Sequence, residues 1–128
     1  MSKIVCLEFS VLLWIAHVLA QVLTARGEFG DAYLISPRDK QLPTKGVASG
    51  RATRALRNYV ENLVPFVALA LALIATGRTG GLGATIWIIA RNLYLPAYVM
   101  GDHLRRTALW GIAVVGLLML LWRLTFAA

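Results

Sequence analysis

Apolar positions run through this chain in long blocks, and polar positions interrupt them at helical spacing. A window of about 19 residues isolates four spans, at about residues 4–25, 52–76, 82–101 and 107–126. The first is broken only by Glu8, Ser10, His17, Gln21 and Thr24. The second carries its polar residues in the first half: at about 100° per residue, Arg54, Asn58, Glu61 and Pro65 fall on one narrow helical face. The third repeats the anomaly, because Arg91, Tyr94, Tyr98 and Arg105 share a face by the same angular count, with Asp102 close to it. The last span is ordinary, and Gly111 and Gly116 offer close helix approach there. The pattern predicts an all-α integral membrane protein, a single domain over residues 1–128 built as a four-transmembrane-helix bundle.

The connections refine this picture. Residues 26–49 are rich in Gly, Pro and charge, and a connection of that length is often functional; it is expected to cover the membrane face where the polar half of the second span begins. The stretch T-G-R-T-G-G-L-G reads as a tight turn. The short G-D-H-L-R-R connection makes spans three and four an antiparallel hairpin. Pro65 and Pro96 each remove a helix-ladder donor, so a loosened turn is expected beside each polar face. Lys3 ahead of the first run raises the signal-peptide reading, but Glu8 spoils the charged-then-apolar order and the run is long enough to span. Glu8 and His17 are expected to face neighbouring helices as structural polar groups.

Composition agrees with the pattern: 59% of residues are hydrophobic and the mean hydropathy is +0.68, too apolar for a soluble domain of this length. The net charge of +7 does not point to nucleic acid, because the cations sit at span ends and in one loop. Their asymmetry places the long first loop in the cytoplasm and both termini on the outer side. Cys6 is the single cysteine, which excludes an intrachain disulfide and a cysteine metal cluster; it reads as a small apolar residue, and no metal is expected.

Cations, amides and a carboxylate in a membrane helix are costly unless something polar binds among them. No Ser-His-Asp order, H-E-x-x-H, G-x-G-x-x-G or P-loop is present. The two faces instead offer a positive field with directional donors and one acid. That suits a small zwitterionic anion: arginines would hold its carboxylates, Glu61 its amine and Asn58 an amide. If the ligand carries a thiol, whose pKa is near ~8.5, a neighbouring guanidinium would favour the thiolate at ~1.4 kcal/mol per unit of depression. An adjacent apolar groove would bring a lipophilic electrophile from the bilayer, and juxtaposition would supply much of the rate.

The stretch R-A-L-R-N-Y-V-E-N-L-V-P-F resembles the second-helix signature of the MAPEG family, the membrane-associated proteins of eicosanoid and glutathione metabolism. A-R-N-L-Y-L-P-A-Y followed by L-R resembles their third-helix pattern, and four spans with a long first connection agree over nearly the whole chain. The resemblance implies a homotrimer with glutathione bound between neighbouring subunits. By position, Arg54, Asn58 and Glu61 match glutathione-holding residues, Tyr94 and Tyr98 two further contacts, and Arg26 a basic contact at the end of the first helix; Arg91, on the face of Tyr94, joins the binding set. Arg105 matches the arginine that stabilises the glutathione thiolate in the leukotriene C synthase branch, with Arg106 as the adjacent alternative. Asn62 replaces an aromatic contact of some members, and Pro96 within the tyrosine pair is a second departure. The S-P-R-D loop is similar to bacterial members, which implies a bacterial inner membrane. The expected activity is that of a glutathione transferase or peroxidase acting on lipophilic electrophiles, with membrane lipids, a lipophilic substrate and like subunits as partners. A non-catalytic MAPEG-fold protein or lipid binder, and a small multidrug-type transporter, are the competing readings.

Overall fold

The computed structural model describes residues 1–126 and contains five helices: α1 Lys3–Phe29, α2 Asp31–Ile35, α3 Val47–Ala75, α4 Gly83–Met100 and α5 His103–Phe126. Each long helix follows an apolar block, and its ends follow local chemistry. Ser2 caps α1 by accepting from the Val5 amide. Gly101, at φ +80°, ends α4 in the left-handed region that favours glycine, and the Asp102 amide returns to the Ala97 carbonyl at 3.0 Å.

That cap corrects the sequence reading in one respect. The connection between the last two helices is Gly101–Asp102, because α5 already begins at His103. A helical count carried past Gly101 therefore fails, and Arg105 does not belong to the face of Arg91, Tyr94 and Tyr98. Helix continues through both Pro65 and Pro96.

Among the described residues, three helices have the length and apolarity to cross a membrane: α1, α3 and α5, with mean hydropathies of 1.9, 1.6 and 1.9 over their best windows. The 18-residue α4 is not among them, since Arg91, Asn92, two tyrosines and Pro96 dilute its apolar residues. It packs along α5 and also touches α3 and α1. Trp87, Ile88, Arg91 and Tyr94 of α4 are all buried. A helix whose polar groups turn into the bundle need not be uniformly apolar to lie beside lipid-facing neighbours.

The core joins Cys6 and Leu13 of α1, Tyr59, Phe66 and Leu73 of α3, Trp87 of α4, and Ala113 and Leu120 of α5. Phe66 stacks on Trp87 with ring centroids 3.9 Å apart, and His17 stacks on Tyr59 at 4.4 Å. The Tyr59 hydroxyl donates to the Ser10 carbonyl at 2.6 Å, and the His17 Nδ1 lies 2.7 Å from the Leu13 carbonyl, so His17 is the structural group expected of it. Glu8, by contrast, is exposed and is not buried among the helices of its own chain. Gly116 meets Gly83 so closely that a Cβ on either would lie within 2.8 Å of the other's carbonyl oxygen. The second expected contact glycine, Gly111, has no heavy atom near its would-be Cβ.

Polar latches close both ends. Glu28 accepts from the Lys45 amide, the Gly46 amide at 2.9 Å and the Ser49 hydroxyl. The last turn of α1 is thus tied to the first turn of α3, and the connection is partly helical at both edges instead of one open loop. At the opposite end Lys3 donates to the Leu73 carbonyl at 3.3 Å and to the Arg78 carbonyl, while Arg78 donates to the Leu124 carbonyl. Leu73 and Leu124 lie in the last turns of α3 and α5, where carbonyls run short of intrahelical donors, and Arg78 lies in the turn between α3 and α4.

Candidate functional site

The polar half of α3 does not face lipid-like emptiness. It forms one wall of a cavity of about 540 Å³ where α3, α4 and α5 meet. From α3 come Arg54, Arg57, Asn58 and Glu61, spaced so that successive turns present them to the same side. From α4 come Tyr94 and Tyr98, one helical turn apart, with ring centroids 5.6 Å from each other. From α5 come Arg106, Thr107 and Trp110. The Arg106 guanidinium lies 5.0 Å from the Tyr98 ring centroid, which holds its charge at the aromatic wall.

Three guanidinium groups and one carboxylate therefore line the cavity. Arg57 Nε and Glu61 Oε1 are 3.3 Å apart, with side chains 82% and 60% exposed. An i,i+4 pair that open contributes at most about 1 kcal/mol, so a ligand can displace it at small cost. Neither Arg54 nor Arg106 has an acidic partner among the described residues. The unmatched charge favours an anionic ligand that brings its own carboxylates.

Behind this wall sits Arg91, completely buried. Its Nη1 donates to Asn58 Oδ1 at 2.9 Å, and its guanidinium carbon stands 5.0 Å from the Tyr94 ring centroid and 5.9 Å from that of Trp87. Nε and Nη2 have no partner among the described residues. Arg91 thus backs the cavity and orients Asn58, and is not itself part of its lining.

Of the residues singled out in the sequence, the fold brings Arg54, Asn58, Glu61, Tyr94 and Tyr98 to one cavity, with Arg91 immediately behind. Two are placed elsewhere. Arg105 points away, its Nε 3.2 Å from Asp102 Oδ2, with a side chain 79% exposed; the adjacent Arg106 occupies the cavity wall instead. Arg26 pairs with Asp31 at 2.8 Å in the turn after α1 and does not reach the cavity of its own chain. Asn62 donates to the Asn58 carbonyl at 3.0 Å and stays on its own helix.

Sequence reasoning passed over Arg57, Thr107 and Trp110 as site residues. For Arg57 a signal existed, since it stands four residues before Glu61. For Thr107 and Trp110 there was none, because only the packing of α5 against α4 sets that face at the border of the cavity.

These features define the class: a multi-pass helical membrane protein with a cationic, aromatic-walled cavity between helices. Residues 6–126 match the MAPEG family, and the chain belongs to it. Comparison with curated proteins and with solved structures gave no match.

Proposed function

We propose that this protein is a glutathione-dependent transferase or peroxidase that acts on lipophilic electrophiles from the bilayer. The observation that carries the reading is the joining, in one cavity, of Arg54, Asn58 and Glu61 with Tyr94, Tyr98 and Arg106. A volume of about 540 Å³ lies within the usual size of small-molecule sites, and two guanidinium groups, Arg54 and an Arg57 freed when Glu61 turns to the ligand amine, suit the two carboxylates of a tripeptide. The donor set therefore fits glutathione.

When bound, glutathione would supply a nucleophilic sulfur. Arg54 and Arg57 supply forked donors for carboxylates. Glu61 exchanges its weak pairing with Arg57 for a ligand amine. Asn58 is fixed by Arg91, so its side chain is pre-oriented before any ligand arrives. Arg106, braced on Tyr98, is the cation that lowers a neighbouring thiol's pKa, in place of Arg105. Trp110 and Tyr98 offer the aromatic surface against which an apolar substrate lies.

The same reading includes a fourth span, formed by α4, and a homotrimer in a bacterial inner membrane with the α1–α3 connection cytoplasmic. Exposed Glu8, Arg57 and Glu61 on the flank of a single chain would be covered by neighbouring subunits, and Arg26 would reach the cavity of the next subunit. Calorimetry of the detergent-solubilised protein with glutathione, followed by a conjugation assay with a generic electrophile, tests the proposal. Binding with turnover is expected. Arg106→Ala should lower turnover at least tenfold with binding retained, and Arg105→Ala should change it less than threefold. Silent calorimetry would leave a MAPEG-fold protein without glutathione chemistry.

A further inference from the structure

A second recess, of about 150 Å³, lies where the loop-side ends of α3, α4 and α5 converge. Its walls include Arg51, Arg54 and Arg106, together with Tyr98, Gly101 and Asp102. Arg54, Tyr98 and Arg106 also border the larger cavity; Arg51 and Gly101 belong to the recess alone.

The Arg51 guanidinium stands in the wall of the recess. Arg51 Nη1 donates to the Val99 carbonyl at 3.1 Å, which pins the group against the end of α4. A Cβ on Gly101 would lie 2.7–2.8 Å from three guanidinium atoms of Arg51. A side chain there would push this flexible group aside, and φ +80° favours glycine at the turn. The one carboxylate on the wall, Asp102, is matched from outside: its Oδ2 is 3.2 Å from Arg105 Nε and its Oδ1 accepts the Arg105 amide at 3.0 Å. Arg51, Arg54 and Arg106 thus face a small volume with no acidic partner among the described residues.

We propose that this recess binds a phosphate-type oxyanion, presented either by a phospholipid headgroup or by a soluble phosphorylated ligand. A carboxylate has two oxygens and matches at most two forked guanidinium groups, which would leave the third cation unanswered. A tetrahedral oxyanion offers three peripheral oxygens to three donors. The volume is too small for a tripeptide and large enough for one such group. Its place at the helix ends is also the depth at which headgroup phosphates meet a bilayer-spanning bundle. The site shares Arg54, Tyr98 and Arg106 with the larger cavity, whereas Arg51 and Gly101 are its own, so substitution of Arg51 reports on it separately from the glutathione reading.

The test has two arms on the full-length protein. In detergent, inorganic phosphate is titrated against chloride at matched ionic strength, with thermal stability as the readout. In nanodiscs of phosphatidylcholine with a minor share of phosphatidylglycerol, native mass spectrometry counts retained phosphatidylglycerol. Occupancy is expected in at least one arm, and the arm that responds identifies the source. Arg51→Gln should weaken it at least tenfold. Arg51→Lys keeps the charge and the apolar stem without the fork, and should give a smaller loss; it serves if Arg51→Gln does not fold. Response in neither arm, or occupancy indifferent to both substitutions, overturns the proposal. Glutathione calorimetry on the same samples is scored apart, so its silence removes the transferase reading and leaves the phosphate result standing.

Discussion

Truncating Asn58 probes a fully buried charge, that of Arg91. Arg91 is 0% exposed, and Asn58 Oδ1, at 2.9 Å, is the only hydrogen-bond acceptor it reaches among the described residues. A hydrogen bond to a charged group contributes about 1.5–3 kcal/mol. Asn58→Ala removes it and leaves a third guanidinium nitrogen without a partner, so it should destabilise the fold by about that amount, roughly ten- to a hundredfold in the unfolding equilibrium. Arg91→Met removes the charge itself and keeps an apolar chain between Trp87 and Tyr94. Replacing buried charge with apolar volume is often neutral or stabilising, so this variant should lose less than Asn58→Ala. The double variant should be far from additive, with a coupling of about 1.5–3 kcal/mol. Reversible unfolding in mixed micelles on SDS titration, read by circular dichroism, measures all three. Asn58→Ala within about 0.5 kcal/mol of wild type, or additive losses in the double variant, would refute the reasoning. Glu61→Gln is the internal contrast, since its pairing is open and should cost no more than about 1 kcal/mol.

Two further outcomes follow from contacts elsewhere. Gly116→Ala places a Cβ 2.8 Å from the Gly83 carbonyl oxygen, with Trp87 Cβ at 3.3 Å; forcing α4 and α5 apart should cost about 1–3 kcal/mol, whereas Gly111→Ala, with open space around it, should leave the SDS midpoint unchanged. Glu28→Gln weakens the acceptor shared by Lys45, Gly46 and Ser49, so limited proteolysis between residues 36 and 46 should speed several-fold while the helical signal is kept.

Much of the site was legible because helix geometry is local. Once α3 is helical, a spacing of four and then three residues must put Arg54, Asn58 and Glu61 on one side, and the same holds for Arg91, Tyr94 and Tyr98 on α4. Angular counting stopped working at Gly101, where a left-handed residue reverses the chain, and so it assigned Arg105 to a face that ends before it. One residue of register on α5 separates a cation in the cavity from one bonded to Asp102. That choice is made by how α5 packs on α4, down to the contact between Gly83 and Gly116.

Hydropathy and periodicity by themselves determined a helical membrane protein with polar stripes on its second and third long helices, because burial cost and helical pitch are properties of the chain. Which stripe residues meet was decided only by tertiary packing. It sank Arg91 behind Asn58, brought Arg106, Thr107 and Trp110 to the cavity, and left Arg26 and Arg105 outside, because contact between separate helices depends on their rotation and depth, and no interval along the sequence encodes either.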